Sequence, residues 1–303
     1  MSRRFLNRKN SVRINRPYFK TTTCKKVLNN NNGHNAIKHA TEIEKCMVAN
    51  NKIISEWIQT VSKKGESIKE LFKQDSNGDT QLTKAILNRL DYAALWLINR
   101  VKNSEVLDIR NSKLHSALHL AVLSGNSGVT RKLVLSGVDV QLETEDGNTA
   151  LHLACINSDV YCLEALTLPF DLEDRPVVHK NLRDCQGPKF DLESKNREGL
   201  TCLHIAAKNC KEVVICHLLA SGANVNATED VTGKTALQLA AQNGSLSTVY
   251  ALMSNEKCDL DKKDSAGSTA YMIAVNCGHR DVCNFLRSME EEKTRVPDFI
   301  KVD

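Results

Sequence analysis

Aromatic residues are scarce in this 303-residue chain, at 5% of the total, so its core must be assembled from aliphatic side chains. No apolar run approaches 18 residues, which is too short for a helical membrane span. The N-terminus lacks the apolar core of a signal peptide, which argues against secretion. The 11 cysteines are scattered, odd in number and never spaced Cys-x-x-Cys, a poor fit to a disulfide framework or a zinc site. Several of them (Cys155, Cys162, Cys202, Cys216) fall on the faces of expected helices. These absences describe a soluble intracellular protein with reduced thiols and with no cofactor, metal or membrane implied.

Acidic residues are missing from positions 1–41, which hold ten Lys or Arg. The remaining 262 residues then carry 31 basic against 36 acidic side chains, a mildly acidic body behind a basic arm. Such a body is unsuited to direct, specific binding of DNA and better suited to a basic protein partner. In the arm, Arg3, Arg4, Arg8 and Lys9 form a cluster that an import receptor could read. The plainer reading is a disordered basic tail rich in Asn and Ser. An Arg-rich, acid-free start is also compatible with a mitochondrial transit peptide. Behind the arm, 42–75 reads as an amphipathic helical segment, with Ile54, Trp57, Ile58 and Val61 on one face. That helix either caps the body of the protein or docks a co-regulator.

A block built on Thr-x-Leu-His recurs. It reads Thr80-Gln81-Leu82-Thr83, Ser116-Ala117-Leu118-His119, Thr149-Ala150-Leu151-His152, Thr201-Cys202-Leu203-His204, Thr235-Ala236-Leu237-Gln238 and Thr269-Ala270-Tyr271-Met272. The steps are 36, 33, 52, 34 and 34 residues, and the long one holds about 19 inserted residues near 168–190. A glycine precedes the block by two positions in five copies, where a tight turn with positive φ suits it; the second copy has Leu114 instead. The Thr or Ser can cap a helix, and the Leu and Ala that follow can pack on neighbouring copies. A second helix ends at a turn glycine, as at Gly137 and Gly222. Block and period resemble ankyrin repeats, so an all-α solenoid of six repeats is expected over 76–289, with a short tail at 290–303. Its ends are expected to be polar and atypical.

Finer detail resembles the IκB family, the ankyrin-repeat inhibitors of NF-κB/Rel factors. The stretch Val106–Val122 is similar to the junction of their first two repeats, and Asp146–Cys155 to their third. The lengthened segment after Glu164-Ala165-Leu166-Thr167 is similar to their third-to-fourth junction. Glu198–His204 resembles the fourth repeat, and Glu229–Leu237 the fifth, with its extra loop residue. The resemblance implies a Rel-homology dimer as partner, held by turn tips and inner helices. Carried over by position, the contact residues are Arg110, Asn111, Glu145, Asp146, Asn196, Arg197, Glu229, Asp230, Val231, Asp264 and Ser265. Solvation alone would also put charge on such turns.

No Asp-Ser-Gly-x-x-Ser degron and no acidic Pro/Ser-rich tail is found; Asp75–Thr80 fits better as the turn leading into repeat one. These departures resemble the atypical nuclear IκB proteins, which implies a nuclear regulator acting with a transcriptional co-repressor. Retention of Rel dimers in the cytoplasm, and a general ankyrin adaptor such as a ubiquitin-ligase substrate receptor, are the alternatives. No enzyme is indicated: Thr232-Gly233-Lys234-Thr235 ends like a phosphate-binding loop, but position 228 is Thr where that motif needs Gly. His119, His152 and His204 are expected to bond the loops. Asn226 resembles asparagines hydroxylated in ankyrin repeats, although Asn224 departs from the acidic residue usual two positions earlier.

Overall fold

Each Thr or Ser of the block leads directly into a helix. The structure, a computed structural model, describes residues 68–101, 103–169 and 190–295. Arg3, Arg4, Arg8, Lys9, Trp57 and most of the inserted segment lie outside the described residues. A short helix α1 (Ile68–Leu71) is followed by six helix pairs: α2 (Gln81–Leu87) and α3 (Asp91–Arg100), α4 (Ala117–Leu123) and α5 (Ser127–Leu135), α6 (Ala150–Asn157) and α7 (Val160–Thr167). The series continues with α8 (Cys202–Lys208) and α9 (Glu212–Ala220), α10 (Ala236–Gln242) and α11 (Leu246–Met253), α12 (Ala270–Cys277) and α13 (Arg280–Arg295).

Most of these helices have seven to nine residues, too few to be stable alone in water, so packing must hold them. First helices pack on first helices of adjacent repeats and second helices on second, which makes two layers of one stack. Every first helix carries an alanine five places after its cap: Ala85, Ala121, Ala154, Ala206, Ala240 and Ala274, all buried. The small side chain lets adjacent helices approach closely. Leu82, Ile86, Leu118, Leu151 and Leu203 from the first layer meet Leu97, Leu133, Leu163, Leu166, Ile215 and Leu218 from the second. Each buried aliphatic side chain contributes roughly 1.5–3 kcal/mol.

Besides Gly137 and Gly222, two backbone positions lie in the left-handed region in every repeat. One is two residues before the cap, where Gly78, Gly147, Gly199, Gly233 and Gly267 stand and Leu114, at φ +57°, takes the same conformation. At Gly147 a side chain would also meet the next turn, because an added Cβ would lie 2.9 Å from the Arg197 nitrogen. The other is nine residues after the cap: Arg89, Gly125, Ser158, Cys210, Gly244 and Gly278 all have positive φ there.

The ends differ from expectation in three ways. Helix α1 stops at Leu71 and the chain is turn-like from Phe72, inside the segment read as helical to 75; both residues are buried. At the other end α13 continues to Arg295, past the boundary drawn at 289. The last repeat is atypical but not polar, because Met272 and Val275 are each 49% exposed where interior repeats are covered by their successor.

A leucine in the left-handed region costs about 1–2 kcal/mol, and glycine's extra freedom in the unfolded chain returns roughly half of that. Leu114→Gly should therefore raise stability by about 0.5–1 kcal/mol, seen as a thermal midpoint about 2 °C higher. A lower midpoint would mean that the leucine side chain holds the turn by packing.

Candidate partner-binding surface

The surface is built on the turns between repeats, and each turn closes on one side-chain acceptor. Asp75 Oδ1 accepts the Asn77 and Asp79 N–H groups, each at 2.9 Å. Asn111 Oδ1 accepts those of Lys113 and His115. Thr144 Oγ1 accepts that of Asn148 at 3.2 Å. Asn196 Oδ1 accepts those of Glu198 and Leu200, and Asp264 Oδ1 those of Ala266 and Ser268. In repeat 5, with its extra residue, Glu229 accepts the N–H groups of Val231, Thr232 and Lys234. Burial works to raise the Glu229 pKa, but the Thr232 hydroxyl and these donors outweigh it and hold the group at about 2. Adjacent turns are stitched by backbone bonds: Ser112 N–H to Asn77 O, Arg197 N–H to Asp146 O, Asp230 N–H to Gly199 O, and Ser265 N–H to Thr232 O.

In repeats 2 to 5 the side chain three places after the cap locks its repeat to the next. His119 Nδ1 accepts the Ser116 N–H while Nε2 lies 2.9 Å from Leu142 O. A carbonyl only accepts, so the proton sits on Nε2 and the imidazole is neutral. His152 reaches Ser194 O, and His204 reaches Ala227 O and Lys234 O, in the same way. In repeat 5, Gln238 Oε1 accepts the Thr235 N–H and Nε2 donates to Lys262 O and Ser268 O. Thr83 is too short for this and bonds only within its own turn.

Between the turns and the first helices of repeats 1 and 2 lies a cleft of about 520 Å³ with Leu87, Leu120 and Leu123 on its floor and Asp79, Asn111 and His115 on its wall. Leu87 and Leu123 stand seven places after the cap. Ile156 is the counterpart in repeat 3, and all three are exposed. In repeats 4–6 that place is held by Lys208, Gln242 and Asn276. The first helices thus present apolar side chains over three repeats and polar ones over the next three.

A family model for ankyrin repeats matches residues 96–175, 118–229, 173–264 and 203–296, well over half of the chain. The chain belongs to the ankyrin-repeat family. Among curated proteins it is similar to the human NF-kappa-B inhibitor epsilon, at 35% identity over 52% of this chain and 30% of that protein. It is also similar to the NF-kappa-B inhibitor cactus of Drosophila melanogaster, at 29% identity over 76% of this chain and 48% of that one. The chain therefore spans less than half the length of these relatives. Its structure is similar to the crystal structure of the ankyrin repeat domain of Bcl-3, described as a unique member of the IkappaB protein family. That match has a TM-score of 0.61 and 29% identity, and covers 70% of this chain and 87% of that one. The six ankyrin repeats and the IκB resemblance read from the sequence are both met again in these relatives.

Arg110, Glu145, Asp146, Arg197, Asp230, Val231 and Ser265 are exposed on the ankyrin turns. Four others assigned to partner contact serve the turn itself: Asn111, Asn196, Glu229 and Asp264 are its acceptors. Asn196 and Glu229 are 8% and 5% exposed, so their polar atoms are directed inward. Carry-over by position missed this because a turn acceptor and a contact residue are both polar and both sit in the loop. The groove leucines were missed as well, although the place seven after each cap was readable as Leu, Leu, Ile and then polar. Asn226 bridges repeats, with Nδ2 donating to Lys257 O at 2.7 Å and Oδ1 accepting the Asp259 N–H.

Cys202 lies against His152, but the two are 1% and 0% exposed. The Cys155 thiol beside Cys202, together with burial, raises the Cys202 pKa well above its ordinary value, and a thiol so held is inert. Among the described residues no group of His, Cys, Asp and Glu is placed to hold a metal ion.

Burial holds the His119 pKa down at about 4 against an ordinary 6.5. Between these values the unfolded chain binds the proton and the folded one does not. His119 stability is therefore complete above pH 6.5 and is lost as pH falls towards 4, by roughly 2–3 kcal/mol in all. His119→Gln copies the arrangement at Gln238 without a titrating group. Chemical denaturation from pH 7 to 4.5 should show the wild type losing more stability than this variant; equal slopes would remove His119 from the acid response.

Proposed function

We propose that this chain binds Rel-homology (NF-κB) transcription factor dimers through its ankyrin array and negatively regulates Rel-dependent transcription in the nucleus. The observation that carries the reading is the likeness to proteins named as NF-kappa-B inhibitors and to the Bcl-3 ankyrin domain. The cleft supports it, because an apolar floor beneath a polar rim is the arrangement of an interface core. The stitched turns support it too, since a surface already ordered before binding loses little freedom on association. Arg110, Glu145, Asp146, Arg197, Asp230 and Ser265 form the polar rim of this interface and Leu87, Leu123 and Ile156 its floor. The basic cluster Arg3, Arg4, Arg8 and Lys9 supports nuclear placement, with repression exerted through a recruited co-repressor. The role is binding, with no catalytic residue.

The test uses the full chain and a purified Rel-homology dimer, with and without a duplex carrying the dimer's DNA site. A ternary complex that keeps the DNA is expected of the nuclear regulator. Displacement of DNA would instead identify a retention inhibitor of the cytoplasmic kind, and absence of any binding would leave a general ankyrin adaptor such as a ligase substrate receptor. Leu123→Asp places a charge on the cleft floor and should weaken Rel binding tenfold or more, as loss of a central contact does. Unchanged affinity would move the contact away from repeats 1–3.

A further inference from the structure

The turn of repeat 5 is one residue longer than its neighbours. Its acceptor stands six places before the capping threonine (Glu229 and Thr235), against five elsewhere, as at Asp264 and Thr269. Glutamate spans the longer loop because its side chain has one more methylene than aspartate. Its two carboxylate oxygens accept three backbone N–H groups and the Thr232 hydroxyl. Turns on either side clamp the loop again, through Asp230 N–H to Gly199 O and Ser265 N–H to Thr232 O. Thr228 and Thr235 pair across its base, and Asp230 is ion-paired to Lys195 of the preceding repeat.

The extra residue in this fixed loop displays Val231, which is 77% exposed, the highest value among the exposed large hydrophobic side chains of the described residues. Between acceptor and glycine the other turns carry only small or polar residues: Ser76-Asn77, Ser112-Lys113, Glu145-Asp146, Arg197-Glu198 and Ser265-Ala266. A single exposed apolar residue on a loose loop needs no explanation. Here Glu229 and the two neighbouring turns hold the loop backbone, and the β-branched side chain has little rotamer freedom to lose, so burying it in a partner carries a small ordering penalty.

We infer that Val231 is an apolar anchor by which repeat 5 seats on its protein partner, entering a pocket lined by aliphatic side chains. The inference rests on the Rel-binding reading and names one specificity-determining contact within it. Anchors of this kind act on dissociation more than on association.

The full chain and its Val231→Thr and Val231→Ala variants are titrated against the same Rel-homology dimer, with thermal midpoints measured in parallel. Threonine keeps the branched shape and the turn but replaces a methyl by a hydroxyl. Both variants are expected to bind about tenfold more weakly, through faster dissociation, with midpoints unchanged. Wild-type binding that both variants retain within twofold overturns the anchor and leaves the Rel reading standing. Failure of the wild type to bind overturns the Rel reading and the anchor with it.

Discussion

A single repeat of this chain cannot bury its own apolar face, and what makes it lean on one particular neighbour is a bifunctional side chain three places after each helix cap. In repeats 2 to 4 that side chain is a histidine and in repeat 5 a glutamine. One polar atom satisfies the cap of its own helix and the other reaches a carbonyl across the following turn. Burial of apolar area drives stacking but has no direction, so it would tolerate a slipped register. A buried donor left without its carbonyl costs about 1–3 kcal/mol, so slippage by a residue is penalised at every junction at once.

The two ends depart from this rule. Repeat 1 carries Thr83, whose hydroxyl stays within its own turn. The junction to repeat 2 leans instead on Asn111 Nδ2 to Asp79, and on Ser112, whose N–H and hydroxyl both donate to Asn77 O. Repeat 6 has Met272, which has no donor to send forward, and there the stacking face is open. The forward-reaching group therefore disappears at the terminal repeat, where no further described repeat supplies the carbonyl.

The sequence revealed the solenoid because its repeats obey one chemical template. Cap, leucine, alanine and turn glycine recur at fixed spacing, and Leu114 was identifiable as the misfit before its φ was known. Legibility ended wherever one backbone task is met by several side chains. Position nine after the cap is left-handed in all six repeats, yet Arg89, Ser158 and Cys210 fill half of those places, and nothing in those residue types announces the conformation. The turn acceptor is Asp, Asn, Thr, Asn, Glu and Asp in succession, a series whose common factor is a reachable oxygen. Carry-over by position therefore placed Asn196 and Glu229 at a partner interface when their oxygens face the backbone. The groove lay in the opposite blind spot: nothing in the residue types of Leu87, Leu123 and Ile156 separates them from core aliphatics, and only their exposure distinguishes them.

Recognition in such an array is confined to positions that the template leaves free. Cap, lock, alanine and acceptor are fixed by packing and hydrogen bonding, and a change at any of them is felt as lost stability. The place seven after the cap and most side chains of the two residues behind each acceptor carry no such duty, Ser112, whose hydroxyl donates to Asn77 O, being an exception. Those are the places where the six repeats differ most: apolar then polar along the helices, and acidic, basic or small along the turns. Repeat 5 extends this freedom by lengthening its turn, and the longer acid at position 229 holds that turn by accepting the N–H groups of Val231, Thr232 and Lys234. Binding specificity can therefore change from repeat to repeat at little expense to the stack. The surface stays rigid because its scaffold, rather than its contact residues, bears the order.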